Sequence, residues 1–354
     1  MPKNDRNKIT PTVTAYVSTR NRYHSTLPAC LLGIATQTVA PKMVILFDDG
    51  DHRDLRNVPI YRNIFAMMSS RGIEWHVFFT EGKGQVPNHQ RALELADTEW
   101  IWRLDDDNVA EKDALEKMLA VADKETGAVG GLVLHPTHMD NADGLASSEI
   151  ADVMLGLNVQ WWKFTGIKEV DHLYSTFIYR KEAGRHGYCM ELSPVGHHEE
   201  TIFTYQMKRD GWKLKVTPEA VTWHLREATG GIRTYNDPTL WEGDKIVFRR
   251  KLSEWGVKLN NHFFIVLDNG LGDHYAFRNI LPEIRKQHKE DKIILAVCYK
   301  EVFEEEKDLN FIGIGHAKSY FGNLDRYNIY KWMWDNNWQG SIVDAFRKLY
   351  GVTK

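Results

Sequence analysis

Short apolar runs recur along the chain, and several stop abruptly at polar or acidic residues. Runs rich in β-branched and aromatic residues and bounded by turn formers predict buried strands. The first, Pro11–Ser18, feeds the polar loop Thr19-Arg20-Asn21-Arg22. The second, Met43–Phe47, ends in Asp48-Asp49-Gly50, and Glu74–Thr80 is a third. The fourth, Trp100–Leu104, runs into Asp105-Asp106-Asp107-Asn108. Between them lie predicted helices Leu27–Gln37 and Asn88–Ala96, the latter after a loop with Gly82, Gly84 and Pro87. Strands alternating with helices predict right-handed crossovers and a mostly parallel sheet. Such connections bring the polar strand ends to one edge, where open α/β sheets bind ligands.

Farther on, Asp113–Thr126 reads as an amphipathic helix with Leu115, Met118, Leu119 and Ala122 on one face. Ala128–Leu134 and Leu173–Arg180 read as strands, separated by a weakly periodic stretch that carries Trp161, Trp162 and Phe164. A helix starts at Glu199-Glu200 and stops at Gly211, and a strand Pro218–Leu225 contains His224. Thr234–Trp255 reads as a connecting helix. The pattern then restarts with strand His262–Leu267, the turn Gly270-Leu271-Gly272-Asp273, a helix with Ile280, Leu281 and Ile284, and strand Lys292–Val297. The expected organisation is an α/β domain over residues 1–233, a connecting helix over 234–258 and a small β-α-β module over 259–354. The module's aromatic end, Tyr327, Tyr330, Trp332, Trp334 and Trp338, is expected to dock it onto the first domain.

With 354 residues, the chain is long enough for two domains. A net charge of −3 provides no overall basic field for nucleic acid or an anionic membrane. Cys30, Cys189 and Cys298 form no metal-ligand pattern, and their odd number suggests a reducing compartment. No apolar run approaches the ~18 residues that span a bilayer. The polar N-terminus lacks a signal-peptide core, so a cytoplasmic location is expected.

Chemistry concentrates in the acidic strand ends. Burying unpaired carboxylates is expensive, and a bound cation commonly resolves it. Oxygen ligands of this kind suit Mg2+ or Mn2+, which bind one or two carboxylates together with substrate phosphates. The plainer reading is a solvated turn that caps the helix starting near Glu111. Two acidic strand ends on one rim favour a site. Glu199 and Glu200 either complement a helix dipole or supply a base. His224 is either structural or a ligand, and the tryptophans either fill a core or meet a ring-shaped substrate.

The order of these segments resembles family 2 glycosyltransferases of the GT-A fold, over about residues 12–226. In that family the first strand ends in a Thr-Tyr-Asn-Arg-like loop, the second in Asp-Asp-Gly and the fourth in Asp-x-Asp. An acidic pair follows on a later helix. The resemblance implies a Rossmann-like mixed sheet with helices on both faces, and inverting transfer from a nucleotide sugar, UDP- or another NDP-sugar, to an acceptor hydroxyl. It implies donor contacts at Thr19, Arg20, Asn21, Asp48, Asp49, Gly84, Arg91, Asp105 and Asp106. Mn2+ or Mg2+ would sit on Asp107, with Asp105 and His224. Glu200, beside Glu199, would be the base, with Trp161, Trp162 and His198 toward the acceptor. Ser18 and Arg20 replace the family's usual Pro and Tyr, and Glu200 replaces the usual Asp. Arg20 can still stack on a base or meet a phosphate. The acceptor would be a glycan, a lipid-linked sugar, a protein or a hydroxylated DNA base. The C-terminal module is similar to the start of the GT-B fold in family 9 heptosyltransferases, but is too short for a GT-B cleft and reads as a non-catalytic accessory half-domain or as the front of a longer protein. Two competing readings are a nucleotidyltransferase, whose Gly-rich phosphate loop is missing, and a binding protein without catalysis.

Overall fold

Four parallel strands lead the fold: β1 (Val13–Thr19), β2 (Met43–Asp48), β3 (Glu74–Phe79) and β4 (Trp100–Asp105). The structure is a computed structural model and describes residues 12–136, 147–156, 158–161, 163–307 and 309–353. Every residue of β2 is buried, as near-continuous apolar runs require of strands covered on both faces. Helices α1 (Leu27–Ala35), α2 (Pro59–Ser70) and α3 (Gln85–Leu95) make the crossovers. Pro87 lies in the first turn of α3, where its missing N–H costs nothing, so the helix starts earlier than its apolar pattern predicts. β5 (Asn108–Ala110), α4 (Ala114–Val121), β6 (Thr126–Leu134), β7 (Lys168–Val170), β8 (Phe177–Arg180), α5 (Glu199–Arg209), β9 (Lys213–His224) and α6 (Pro238–Glu254) follow.

Among the described residues the strands run β3-β2-β1-β4-β8-β6-β9-β5, with β7 on β9. β8 is antiparallel to both β4 and β6, so the sheet is mixed rather than mostly parallel. No long crossover helix precedes β8 among the described residues, and the strand enters from the opposite end. The core packs Leu27, Leu31 and Ile34 of α1 and Tyr61 and Phe65 of α2 against Val44, Leu46 and Trp102.

The chain divides into two compact units, and the first retains residues 158–258, including α6. The second is built mainly on residues 259–354. Its parallel sheet has the order β10 (Asn261–Leu267), β11 (Asp291–Val297), β12 (Asn310–Ile312). Five helices accompany it among the described residues, α7 (Leu271–Arg278), α8 (Leu281–Gln287), α9 (Ile314–Phe321), α10 (Ile329–Asp335) and α11 (Ile342–Leu349). Ile265, Leu267, Phe277, Leu295, Phe303 and Phe346 form its core, and Tyr327, Trp332 and Trp338 pack on that core.

Candidate active site

The carboxyl ends of β1 and β4, the entry to α3 and the first turn of α5 meet at a cavity of about 340 Å3. One wall carries Asp49. Thr80 Oγ1 donates to its Oδ1 at 2.7 Å and the Gly84 N–H to its Oδ2 at 3.0 Å. Gly84 has φ 95°, and a Cβ there would lie 2.3 Å from the Pro194 carbonyl oxygen, so the site requires glycine. Beside it, the Arg20 guanidinium lies 4.9 Å over the Tyr235 ring and donates through Nε to Thr234 Oγ1 at 2.8 Å. Thr19, Arg20, Asp49 and Gly84 therefore reach the cavity together.

Three expected donor contacts lie elsewhere. Asp48 turns inward and accepts from Tyr23 Oη at 2.6 Å and the Gly50 N–H at 3.0 Å. Asn21 accepts from the Asp51 N–H at 2.9 Å and shapes its loop with φ 61°. Arg91 is exposed on α3, its guanidinium 4.9 Å over the Phe78 ring. None of these three lines the cavity.

Asp105, Asp106 and Asp107 all line it, and two arginines answer their mutual repulsion. Arg22 Nη1 lies 2.5 Å from Asp106 Oδ1 and 3.0 Å from Asp107 Oδ2. Thr19 Oγ1 also donates to Asp106 at 2.7 Å. Asp105 accepts from Ser175 Oγ at 2.9 Å and faces Arg103 Nη2 at 3.2 Å. The β5–β9 register sets Asn108 opposite His224, which brings His224 Nε2 to 3.2 Å from Asp107 Oδ1. Burial pushes the Asp106 carboxyl up to about 6 against the pull of Arg22. Burial also works to raise Asp107, but hydrogen bonding to His224 and the His224, Arg22 and Arg233 charges outweigh it and hold it below the usual range.

No group of three metal-ligating side chains converges among the described residues. What converges is a pair, Asp107 and His224, with the buried His224 Nδ1 lacking a hydrogen-bond partner. One carboxylate and one imidazole fit Mn2+ or Mg2+ if the ion completes its shell with diphosphate oxygens and water. Asp105, expected as a second ligand, is instead engaged by Ser175 and Arg103.

The two glutamates at the start of α5 are sorted by their surroundings. Glu199 is fully buried, with Arg103 Nη2 at 2.5 Å and His89 Nε2 at 3.5 Å, and does not line the cavity. Glu200 lines it. Burial pushes both carboxyls up, and the Arg103 guanidinium opposes the shift. Burial pushes His89 well down, so it stays neutral.

On the same side of the cavity, His198 has φ 68° and its ring stacks on Phe248 at 4.2 Å. Trp161 does not reach the cavity but packs edge-on, at 4.6 Å, against Tyr174, which does. Trp162 lies outside the described residues. Sequence reasoning passed over Arg22, Arg103, Tyr174, Ser175, Tyr235 and Trp241. Of these, only Arg103, an arginine inside an apolar run, carried a local signal, because a buried charge demands a partner.

Fold and site together define an α/β enzyme whose carboxylates meet at strand ends. Residues 14–186 match the family described as glycosyl transferase family 2. Over residues 14–186 the chain thus resembles family 2 glycosyltransferases, and its fold is GT-A. Residues 1–349 of S. aureus TarS, solved with UDP-GlcNAc, are similar over 96% of this chain and 90% of that one, at 16% identity and a TM-score of 0.50. The mannosyltransferase PcManGT of Pyrobaculum calidifontis, solved with GDP-Man and Mn2+, is similar over 64% of this chain and 60% of its own, at 18% identity and a TM-score of 0.46. A further TarS 1–349 structure is similar over 60% of each chain, at 18% identity and a TM-score of 0.43. The chain therefore spans about 60% of the length of the latter two. No curated protein sequence matches it. No described helix is long and apolar enough to cross a membrane.

Proposed function

We propose that the first unit transfers a sugar from a nucleotide sugar to an acceptor hydroxyl with inversion, using a divalent cation. The observation that carries this reading is the sorting of the glutamate pair. Glu199 is spent on Arg103, while Glu200 stands in the same cavity as Asp105, Asp106 and Asp107. The nucleoside end of the donor lies along Asp49, Arg20 and Tyr235, and its diphosphate faces Asp107 and His224. Asp107 and His224 would hold the Mn2+ or Mg2+ ion, which when bound would supply charge neutralisation for the leaving diphosphate. Glu200 accepts the hydroxyl proton as the acceptor oxygen bonds to the anomeric carbon and the bond from that carbon to the phosphate oxygen breaks. The raised Glu200 carboxyl suits a base that works near neutral pH.

The test is a donor screen with Mn2+ or Mg2+, read as release of nucleoside diphosphate. UDP-GlcNAc, bound in the TarS structure, heads the panel. Glu200→Gln should keep donor binding and lose ~10²-fold or more in turnover. If no nucleotide sugar is consumed, or Glu200→Gln turns over like the parent chain, this reading falls.

A further inference from the structure

Helix α6 reads from sequence as a connector, yet one of its faces braces the catalytic cavity. Trp241, Asp244 and Phe248 stand at i, i+3 and i+7, on one side of the helix. That side meets the loop 193–198, which leads directly into α5 and the glutamate pair. Asp244 is only 1% exposed. It accepts three hydrogen bonds from this loop: the Ser193 N–H at 2.7 Å, Ser193 Oγ at 2.9 Å and the His197 N–H at 2.8 Å. Trp241 packs on the His197 ring at 5.0 Å, and Phe248 stacks on His198 at 4.2 Å.

The loop so held is shaped against ordinary preference. Gly196 and His198 have φ of 65° and 68°, and His198, the last residue before α5, adopts a conformation uncommon for any residue but glycine. A conformation of this kind persists only where the surroundings over-determine it. On its other side the loop touches the donor wall, because the Pro194 backbone closes over Gly84, whose N–H holds Asp49. Asp244 itself does not line the cavity. Its contacts run to the backbone that aims the first turn of α5.

We propose that Asp244 is a positioning residue for the base. By fixing Ser193 and His197 it sets the left-handed turn at His198, and with it the place of the Glu200 carboxylate. This inference rests on the glycosyltransferase reading above. A purely structural role would not single out kcat over donor KM and would not vanish in a Glu200→Gln background.

Asp244→Asn keeps the side-chain volume and replaces one acceptor oxygen by a donor. The assay is steady-state kinetics of the full chain with UDP-GlcNAc, or whichever nucleotide sugar the screen finds, and Mn2+. A base displaced by about 1 Å loses up to ~10²-fold in rate. We expect kcat to fall at least about tenfold with donor KM within about twofold. In a Glu200→Gln background the same substitution should cost nothing further, since effects on one unit do not multiply. Leu252→Ala, a buried residue about two turns farther along α6 than Asp244, should lower Tm while leaving kcat unchanged. Ser193→Ala removes one of the three bonds from the loop side and should lower kcat in the same direction by a smaller factor.

Unchanged kcat in Asp244→Asn overturns the proposal, as do losses that multiply in the double variant. If Asp244→Asn does not fold, unchanged kcat in Ser193→Ala overturns it. A parent chain that consumes no nucleotide sugar removes the glycosyltransferase reading and this assignment with it, and that outcome is visible before any variant is made.

Discussion

Replacing Arg103 by methionine isolates the contact that distinguishes the two glutamates. The side chain is 2% exposed, and its Nη2 lies 2.5 Å from Glu199 Oε1, whose side chain has no exposure. Removing one partner of a buried pair typically costs about 3–5 kcal/mol. Here the carboxyl can escape by taking a proton, which sets a ceiling. From an ordinary value of 4.5, protonation at pH 7 spans about 2.5 pH units at about 1.36 kcal/mol each, or about 3.4 kcal/mol. At pH 5.5 the ceiling falls to about 1.4 kcal/mol. Asp105 adds little, because its side chain is 27% exposed and screened. The sign follows from burial, which raises the Glu199 carboxyl in the folded chain. The contribution of Glu199 to stability is fully present below its unfolded value and is lost as pH rises, and removing Arg103 raises the folded value further. Because the raised value already costs the parent part of this ceiling, urea melts of Arg103→Met against the parent should show a loss short of about 3 kcal/mol at pH 7 and a smaller one at pH 5.5. Arg103→Met with Glu199→Gln should recover most of it, since no charge is then stranded. A loss independent of pH, or no recovery in the double variant, refutes the assignment of Arg103 as the counter-ion.

EDTA should abolish turnover and Mn2+ or Mg2+ restore it, and Asp107→Ala should weaken donor binding by calorimetry in the presence of metal; full activity in EDTA counts against the cation. Gly84→Ala should cost more than about 2 kcal/mol by urea melt, because φ 95° and the Pro194 backbone leave no room for a Cβ. Asp106, raised to about 6, contributes stability below its ordinary 3.8 that is lost as pH rises through about 6. Asp106→Asn should flatten that part of the stability–pH curve, and an unaltered curve would show that another group produces it.

The four leading strands were legible because burial on both faces leaves little but apolar residues between turns, as in Met43–Phe47. α2 carried its own signal, with Tyr61, Ile64, Phe65 and Met68 at i, i+3, i+4 and i+7, but the polar stretch before it masked the start. The direction of β8 was not legible, because strand polarity depends on the path of the connection and not on composition. β9 starts five residues before the predicted Pro218, which sits where the β6–β9 register shifts. A proline without an N–H reads as a boundary even where the partner strand absorbs it as an irregularity. α6 hid its role because the acid that matters, Asp244, looks like any polar position on an exposed helix.

Within the site, the carboxylates announced themselves and their counter-ions did not. An acid at a strand end breaks an apolar run, which is a local event. Arg22 meets Asp106 and Asp107 only because β1 and β4 pair in parallel with Ser18 opposite Asp105, a register set across three crossovers. Arg103 is local in sequence to the acids, but its partner Glu199 arrives from α5, beyond β8. That distance also explains why the choice between Glu199 and Glu200 could not be derived from the pair itself. Successive side chains on a helix point about 100° apart. One of the two had to turn into the protein and the other toward the cavity, and the side chain waiting inside decided which. With a leucine at position 103, Glu199 would have no charge to meet, and burying it would cost more than any helix dipole returns. The buried arginine thus determines which glutamate turns inward and which lines the cavity.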